Sequence, residues 1–122
     1  MEDQLSSVVK ALARLRAPLC QGEYDLHRLA AQALEAEGID FLHEVTLSPR
    51  CRIDFLAGTV GIEIKKGRPA RGRLMEQLAR YAKSGRVQAL VILVERSANL
   101  PSMILGKPCV MLSANRLWGI AL

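Results

Sequence analysis

The chain has 122 residues, of which half are hydrophobic and 24% charged, a balance that allows one hydrophobic core and excludes a disordered regulatory chain. Seventeen Lys and Arg against twelve Asp and Glu leave a formal charge of +5. The stretch from Arg50 to Arg73 carries seven of the basic residues (Arg50, Arg52, Lys65, Lys66, Arg68, Arg71, Arg73) and only two acids, Asp54 and Glu63; this points to a polyanionic partner rather than a membrane or an acidic small molecule. Cys20, Cys51 and Cys109 are too few and too scattered for a disulfide framework or a zinc-ligand pattern, and they suit a reducing compartment. The Met-Glu-Asp-Gln opening is not that of a signal peptide, and no apolar run reaches the length of a membrane span. The expectation is one cytoplasmic domain over residues 1–122.

In chain order, Leu5, Val8, Val9, Leu12 and Leu15 recur at spacings of three and four, which predicts an amphipathic helix over Leu5–Leu15 ended by Ala17-Pro18. Its basic residues Lys10, Arg14 and Arg16 also suit a membrane surface, but a short helix with no aromatic anchor is expected to pack on the domain. A second helix is predicted from Gly22 or Glu23 to Glu37, with Leu26, Leu29, Ala30, Ala33 and Leu34 buried and Gly38 closing it. Three short strands follow: Phe41–Leu47, then Arg52–Ala57 and Val60–Lys65 joined by a turn at Gly58-Thr59, together an antiparallel meander. A third helix spans about Arg73–Ser84, with Leu74, Leu78 and Tyr81 or Ala82 inward. Ala89–Val94 is apolar at every position, as in a central strand covered on both faces. A strand, helix, strand order places it parallel to Val60–Lys65. Cys109–Leu112 reads as a further strand and Asn115–Leu122 as a short helix or docked terminus, with Met103, Met111 and Trp118 as packing residues. The fold class is α/β, bordering α+β, with a mixed sheet of four or five strands flanked by helices.

Alternation places Ile53 and Phe55 on one face of their strand and Asp54 on the other; Ile62 and Ile64 likewise oppose Glu63 and Lys65. A short turn then sets both carboxylates on neighbouring strands, within reach of one ion. Carboxylates are hard ligands for Mg2+ or Mn2+, such an ion can polarise a phosphate and acidify a water, and a lysine can orient that water or offset developing charge. The same three residues also suit the wet face of a hairpin carrying a cross-strand charge pair.

Arg52-Ile53-Asp54-Phe55-Leu56, a short turn, then Ile62-Glu63-Ile64-Lys65 resembles the core motif of the PD-(D/E)XK nuclease superfamily, with Ile53 in place of the motif's proline. Gln77-Leu78-Ala79-Arg80-Tyr81 is similar to the Gln-x-x-x-Tyr motif of the branch that includes RecB-type exonuclease domains. The resemblance spans about Glu23 to Val94 and implies a restriction-endonuclease-like core, with Asp54 and Glu63 as metal ligands and Lys65 as the catalytic lysine. It also implies a further acidic ligand from the N-terminal helix; Glu23 is the best match, and Glu44 on the first strand competes with it. Gln77 would contact the lysine, the attacking water or a phosphate. Tyr81, four residues on and on the same helical face, would support it or pack in the core. Arg50, Arg52, Lys66, Arg68, Arg71, Arg73 and Arg80 would hold the nucleic-acid backbone. His27 shares a helical face with Glu23 and is a phosphate contact, an orienting group for Glu23 or a structural residue; His43 has no evident role. Cys51 has no histidine near it in sequence and is not expected to act as a nucleophile.

The function expected is an Mg2+- or Mn2+-dependent deoxyribonuclease, structure-directed or weakly sequence-specific, in the manner of Holliday-junction resolvases or phage and repair-associated endonucleases, and acting as a homodimer on DNA. The alternative is a non-catalytic nucleic-acid-binding protein or a nuclease subunit of a larger complex. A small-molecule phosphatase is disfavoured, since it requires a closed apolar pocket.

Overall fold

A computed structural model of the protein describes residues 3–15, 23–96 and 99–113. Its elements are α1 (Gln4–Ala13), α2 (Glu23–Ala36), β1 (Leu42–Ser48), β2 (Cys51–Ala57), β3 (Val60–Lys65), α3 (Arg71–Ala82), β4 (Ala89–Val94), β5 (Met103–Ile104) and β6 (Lys107–Ser113). The strands form one sheet in the order β1-β2-β3-β4-β6-β5, giving a mixed α/β fold with six strands and three helices among the described residues. The sheet is thus wider than the four or five strands expected, because β5 is a two-residue strand too short to register as a pattern. Leu105 and Gly106, both at positive φ (50° and 78°), turn it back onto β6. Cys20 and the segment Asn115–Leu122, Trp118 included, lie outside the described residues.

The antiparallel meander β1–β2–β3 and the parallel pairing of β3 with β4, from Val60 opposite Ala89 to Lys65 opposite Val94, match the sequence reading. β4 is buried at all six positions, as its unbroken apolar run requires. Helices cover both faces. On one side α1 and α2 pack Val8, Leu12, Leu26, Ala30 and Leu34 against Phe55, Ile62, Ile64, Val91 and Leu93. On the other, α3 packs Leu74, Leu78, Tyr81 and Ala82 against Ile53, Leu56, Leu90, Ile92 and Val94.

Local chemistry fixes the helix ends. Asp3 accepts from the Ser6 amide at 2.7 Å, satisfying one of the free N–H groups that open α1. Gln4 then pins α1 to the β2–β3 turn, its Oε1 accepting from the amide and hydroxyl of Thr59 at 3.1 and 3.2 Å. With Val8, Ala11 and Leu12 buried, α1 packs on the domain, as its apolar spacing predicts. Gly38, at φ 70°, ends α2. The end of α3 is held by Lys107 from β6, whose Nζ donates to the carbonyls of Ala82, Ser84 and Val87 at 2.6, 3.1 and 2.6 Å. No helix among the described residues is long and apolar enough to cross a membrane.

One expectation about the sheet is corrected. Ile53 and Phe55 do not share a face: Ile53 belongs to the layer under α3 and Phe55 to the layer under α1 and α2. β2 therefore turns over at Asp54. β1 does the same at the facing position, where Glu44 takes φ 55°, sending Val45 under α3 while His43 stacks over Phe55 on the opposite face. The positive φ at a non-glycine residue within a strand is the local strain that this reversal requires.

Candidate active site

The site begins where β2 and β3 part. Their ladder pairs Ala57 with Val60, Leu56 with Gly61 and Phe55 with Ile62, and stops there. Continued, that register would set Asp54 opposite Glu63. Two side chains take over instead: Asp54 Oδ2 accepts from the Ile64 amide at 2.8 Å, and Glu63 Oε1 accepts from the Asp54 amide at 3.2 Å. Each carboxylate thus satisfies a backbone donor that the opened ladder leaves unpaired. This reciprocal pair accounts for the turnover in β2, since Asp54 lies in the gap between strands and not on either flat face.

Glu63 alternates cleanly within β3 and faces α3. Only 3% of it is exposed, and burial together with the nearby Asp54 carboxylate raises its pKa from 4.5 to about 7, against the opposing pull of Lys65. Lys65, two residues on, returns to the same face and brings Nζ to 3.2 Å from Glu63 Oε2. Asp54, Glu63 and Lys65 are therefore brought together, as the sequence pattern predicts.

Gln77 is half-buried on α3. It lines, with Lys65, Arg73, Glu76 and Arg80, an open cleft of about 550 Å3. Arg73, Gln77 and Arg80 are spaced four and three apart, one stripe of α3 facing the cleft. Tyr81 lies behind this stripe, 1% exposed, with its hydroxyl donating to the Arg52 carbonyl at 3.0 Å. Burial first, and then the Glu63 carboxylate, hold that phenol protonated by raising its pKa. Tyr81 braces β2 against α3 and does not line the cleft with Gln77.

The remaining basic residues divide. Lys66 and Arg68 are exposed on the loop between β3 and α3, and Arg50 and Arg52 are exposed at the β1–β2 end of the sheet. Arg71 is turned to the loop after β4, where its Nε donates to the Asn99 carbonyl at 2.8 Å. Cys51 is buried in the layer under α3, as expected of a structural residue.

Glu23 begins α2, but its side chain lies outside the described residues; Glu44 is exposed at the strained position of β1. His27 was expected near the site from its helical spacing with Glu23; what the sequence reading missed is that it meets Asp54 and His43. His27 on α2 places Nε2 at 3.5 Å from Asp54 Oδ2, and its Nδ1 is 3.1 Å from Nε2 of His43. His43 in turn stacks on Phe55, with ring centroids 4.5 Å apart. The helical spacing of Glu23 and His27 was the available signal for His27; nothing in the alternation of β1 signals His43, because the strand reverses at the next residue.

Among the described residues, no three His, Cys, Asp or Glu side chains form a ready metal-holding group. Asp54 is instead flanked, with His27 toward α2 and Glu63 toward α3. Comparison of the chain with known protein families, with curated proteins and with solved structures finds no match.

Proposed function

We propose that the chain is a divalent-metal-dependent nuclease that hydrolyses phosphodiester bonds in DNA on a restriction-endonuclease-like core, as its resemblance to the PD-(D/E)XK superfamily implies. The observation that carries the reading is the parting of β2 and β3 at Asp54 and Glu63, with Lys65 beside them and a basic cleft adjoining. A plain wet hairpin face would place these side chains in solvent, not bury Glu63 beside a second carboxylate.

The donor set fits Mg2+ or Mn2+. Mg2+ is commonly bound through one or two carboxylates plus water and substrate phosphate, so a pair such as Asp54 and Glu63 suffices without a complete protein cage. A cation would also offset the burial and the Asp54 repulsion that raise the pKa of Glu63. His27, whose Nε2 lies 3.5 Å from Asp54 Oδ2, would supply a nitrogen donor beside the two carboxylates. Such an ion, when bound, acidifies a water and polarises the phosphate.

The protein's own groups supply the rest. The Lys65 ammonium orients a water or phosphate oxygen at the mouth of the cleft, and Gln77 donates or accepts a hydrogen bond beside it. Arg73 and Arg80 hold the backbone of the nucleic acid on either side of Gln77, with Lys66 and Arg68 extending the contact along the loop. The reading carries with it cutting that is directed by structure or only weakly by sequence, through contacts to the phosphate backbone.

The test is plasmid and oligonucleotide cleavage in Mg2+ or Mn2+. Cutting is expected to stop on chelation, to return when the ion is restored, and to be lost in Asp54→Asn. Cutting that persists in a chelator, or in Asp54→Asn, contradicts the reading.

A further inference from the structure

We infer that His43 is a positioning residue for the metal site, acting through His27. The inference rests on the metal-dependent reading above. A histidine binds a metal ion through an unprotonated nitrogen, so a neutral ring that offers Nε2 to an ion carries its proton on Nδ1. That N–H then needs an acceptor, and ligating histidines are generally held by such an outer partner, which fixes both tautomer and ring orientation. The group 3.1 Å from His27 Nδ1 is His43 Nε2.

The surroundings fit this role. Among the described side chains of α2, His27 is the polar one turned inward, with 14% of its side chain exposed, and its ring centroid lies 5.6 Å from that of Phe55. His43 lies almost parallel to the Phe55 ring, at 16°. The reversal of β1 at Glu44 is what brings His43 to this face, beside α2, while Val45 goes under α3. The strained backbone at Glu44 therefore has a consequence at the site: it supplies the acceptor that keeps His27 Nε2 pointing toward Asp54.

His43 meets His27 and Phe55 and is not among the residues lining the cleft, so a role through His27 separates from general catalysis by metal affinity. The experiment is a Mn2+ titration followed by electron paramagnetic resonance on four proteins: wild type, Asp54→Asn, His43→Phe and His43→Gln. Far-UV circular dichroism and melting curves report the fold of each. His43→Phe keeps a ring on Phe55 but removes the acceptor; His43→Gln restores a polar atom at the place of Nε2. The expected result is a Mn2+ dissociation constant raised about 10-fold or more in His43→Phe and within about threefold of wild type in His43→Gln. In cleavage, His43→Phe should require more Mn2+ for half-maximal rate while approaching the wild-type rate at saturation. Wild-type Mn2+ affinity in His43→Phe, or an equal loss in both variants, overturns the role of His43 while leaving the metal site intact. Equal Mn2+ binding by wild type and Asp54→Asn overturns the metal reading and this inference with it.

Discussion

Glu63 is the residue at which burial, charge and function meet. Its pKa is raised from 4.5 to about 7 in the folded chain, so between those values the folded state holds a proton that the unfolded state has released. Stability of the metal-free protein should therefore fall as pH rises from about 4.5 to about 7, and Glu63→Gln should flatten that slope; urea melts at several pH values measure it. Binding of a divalent ion at pH 6 should release about one proton, seen as a buffer-dependent heat in calorimetry. Tyr81 sits one layer behind. Tyr81→Phe leaves the Arg52 carbonyl without its donor and should cost about 1 kcal/mol in a thermal melt. Asp54 and Glu63 were legible as a pair from alternation and turn length. His43 was not, because its partner His27 lies 16 residues away and the strand reverses between them and the site.

At the scale of the elements, β3 is the strand that sequence periodicity describes best and β2 the one it misdescribes. Ile62 and Ile64 share a face, as period two demands, with Glu63 and Lys65 opposite. In β2 the same pattern of apolar residues around Asp54 predicts one face for Ile53 and Phe55, and the chain instead turns over there. Alternation assumes an unbroken ladder, whereas here two carboxylates replace the backbone pairing. The closeness of this packing is testable at Gly61. A Cβ there would meet Ile53 Cδ1 at 2.5 Å and Leu90 Cδ2 at 3.2 Å, so Gly61→Ala should destabilise by about 1–3 kcal/mol through overpacking. Lys107 is a second such point. Its ammonium closes three carbonyls at the end of α3, and Lys107→Met should cost roughly 2 kcal/mol in a denaturant melt, the range for hydrogen bonds to a charged group. The strand β6 was visible from Cys109–Leu112, but not its lysine's reach to a helix end 20 to 25 residues earlier.

Over the whole molecule, the two faces of the sheet contribute different groups to the candidate site. The α1–α2 layer contributes His27; the α3 layer contributes the cleft with Arg73, Gln77 and Arg80. Asp54 is the residue both layers touch, because it occupies the gap between β2 and β3. The proposed nuclease therefore draws its metal donors from both sides of that gap, His27 from the α2 side and Glu63 from the α3 side, and its phosphate contacts from the α3 layer. On this account Arg73→Ala and Arg80→Ala weaken DNA binding and lower its salt dependence while leaving Mn2+ affinity unchanged, as fluorescence anisotropy across a salt series would show. A homodimer cutting two strands symmetrically would sediment at twice the chain mass and resolve a four-way junction in one binding event.

The most direct measurement is cleavage of a substrate panel in Mg2+ and Mn2+ by wild type beside Lys65→Ala. The panel comprises linear duplex, single strand, supercoiled plasmid, flap and four-way junction, and DNA and Mn2+ binding are measured on the same preparations. The account predicts cutting of at least one substrate by wild type, and none by Lys65→Ala although that variant still binds both DNA and Mn2+. Binding without cutting by wild type on every substrate, or undiminished cutting by Lys65→Ala, would contradict it.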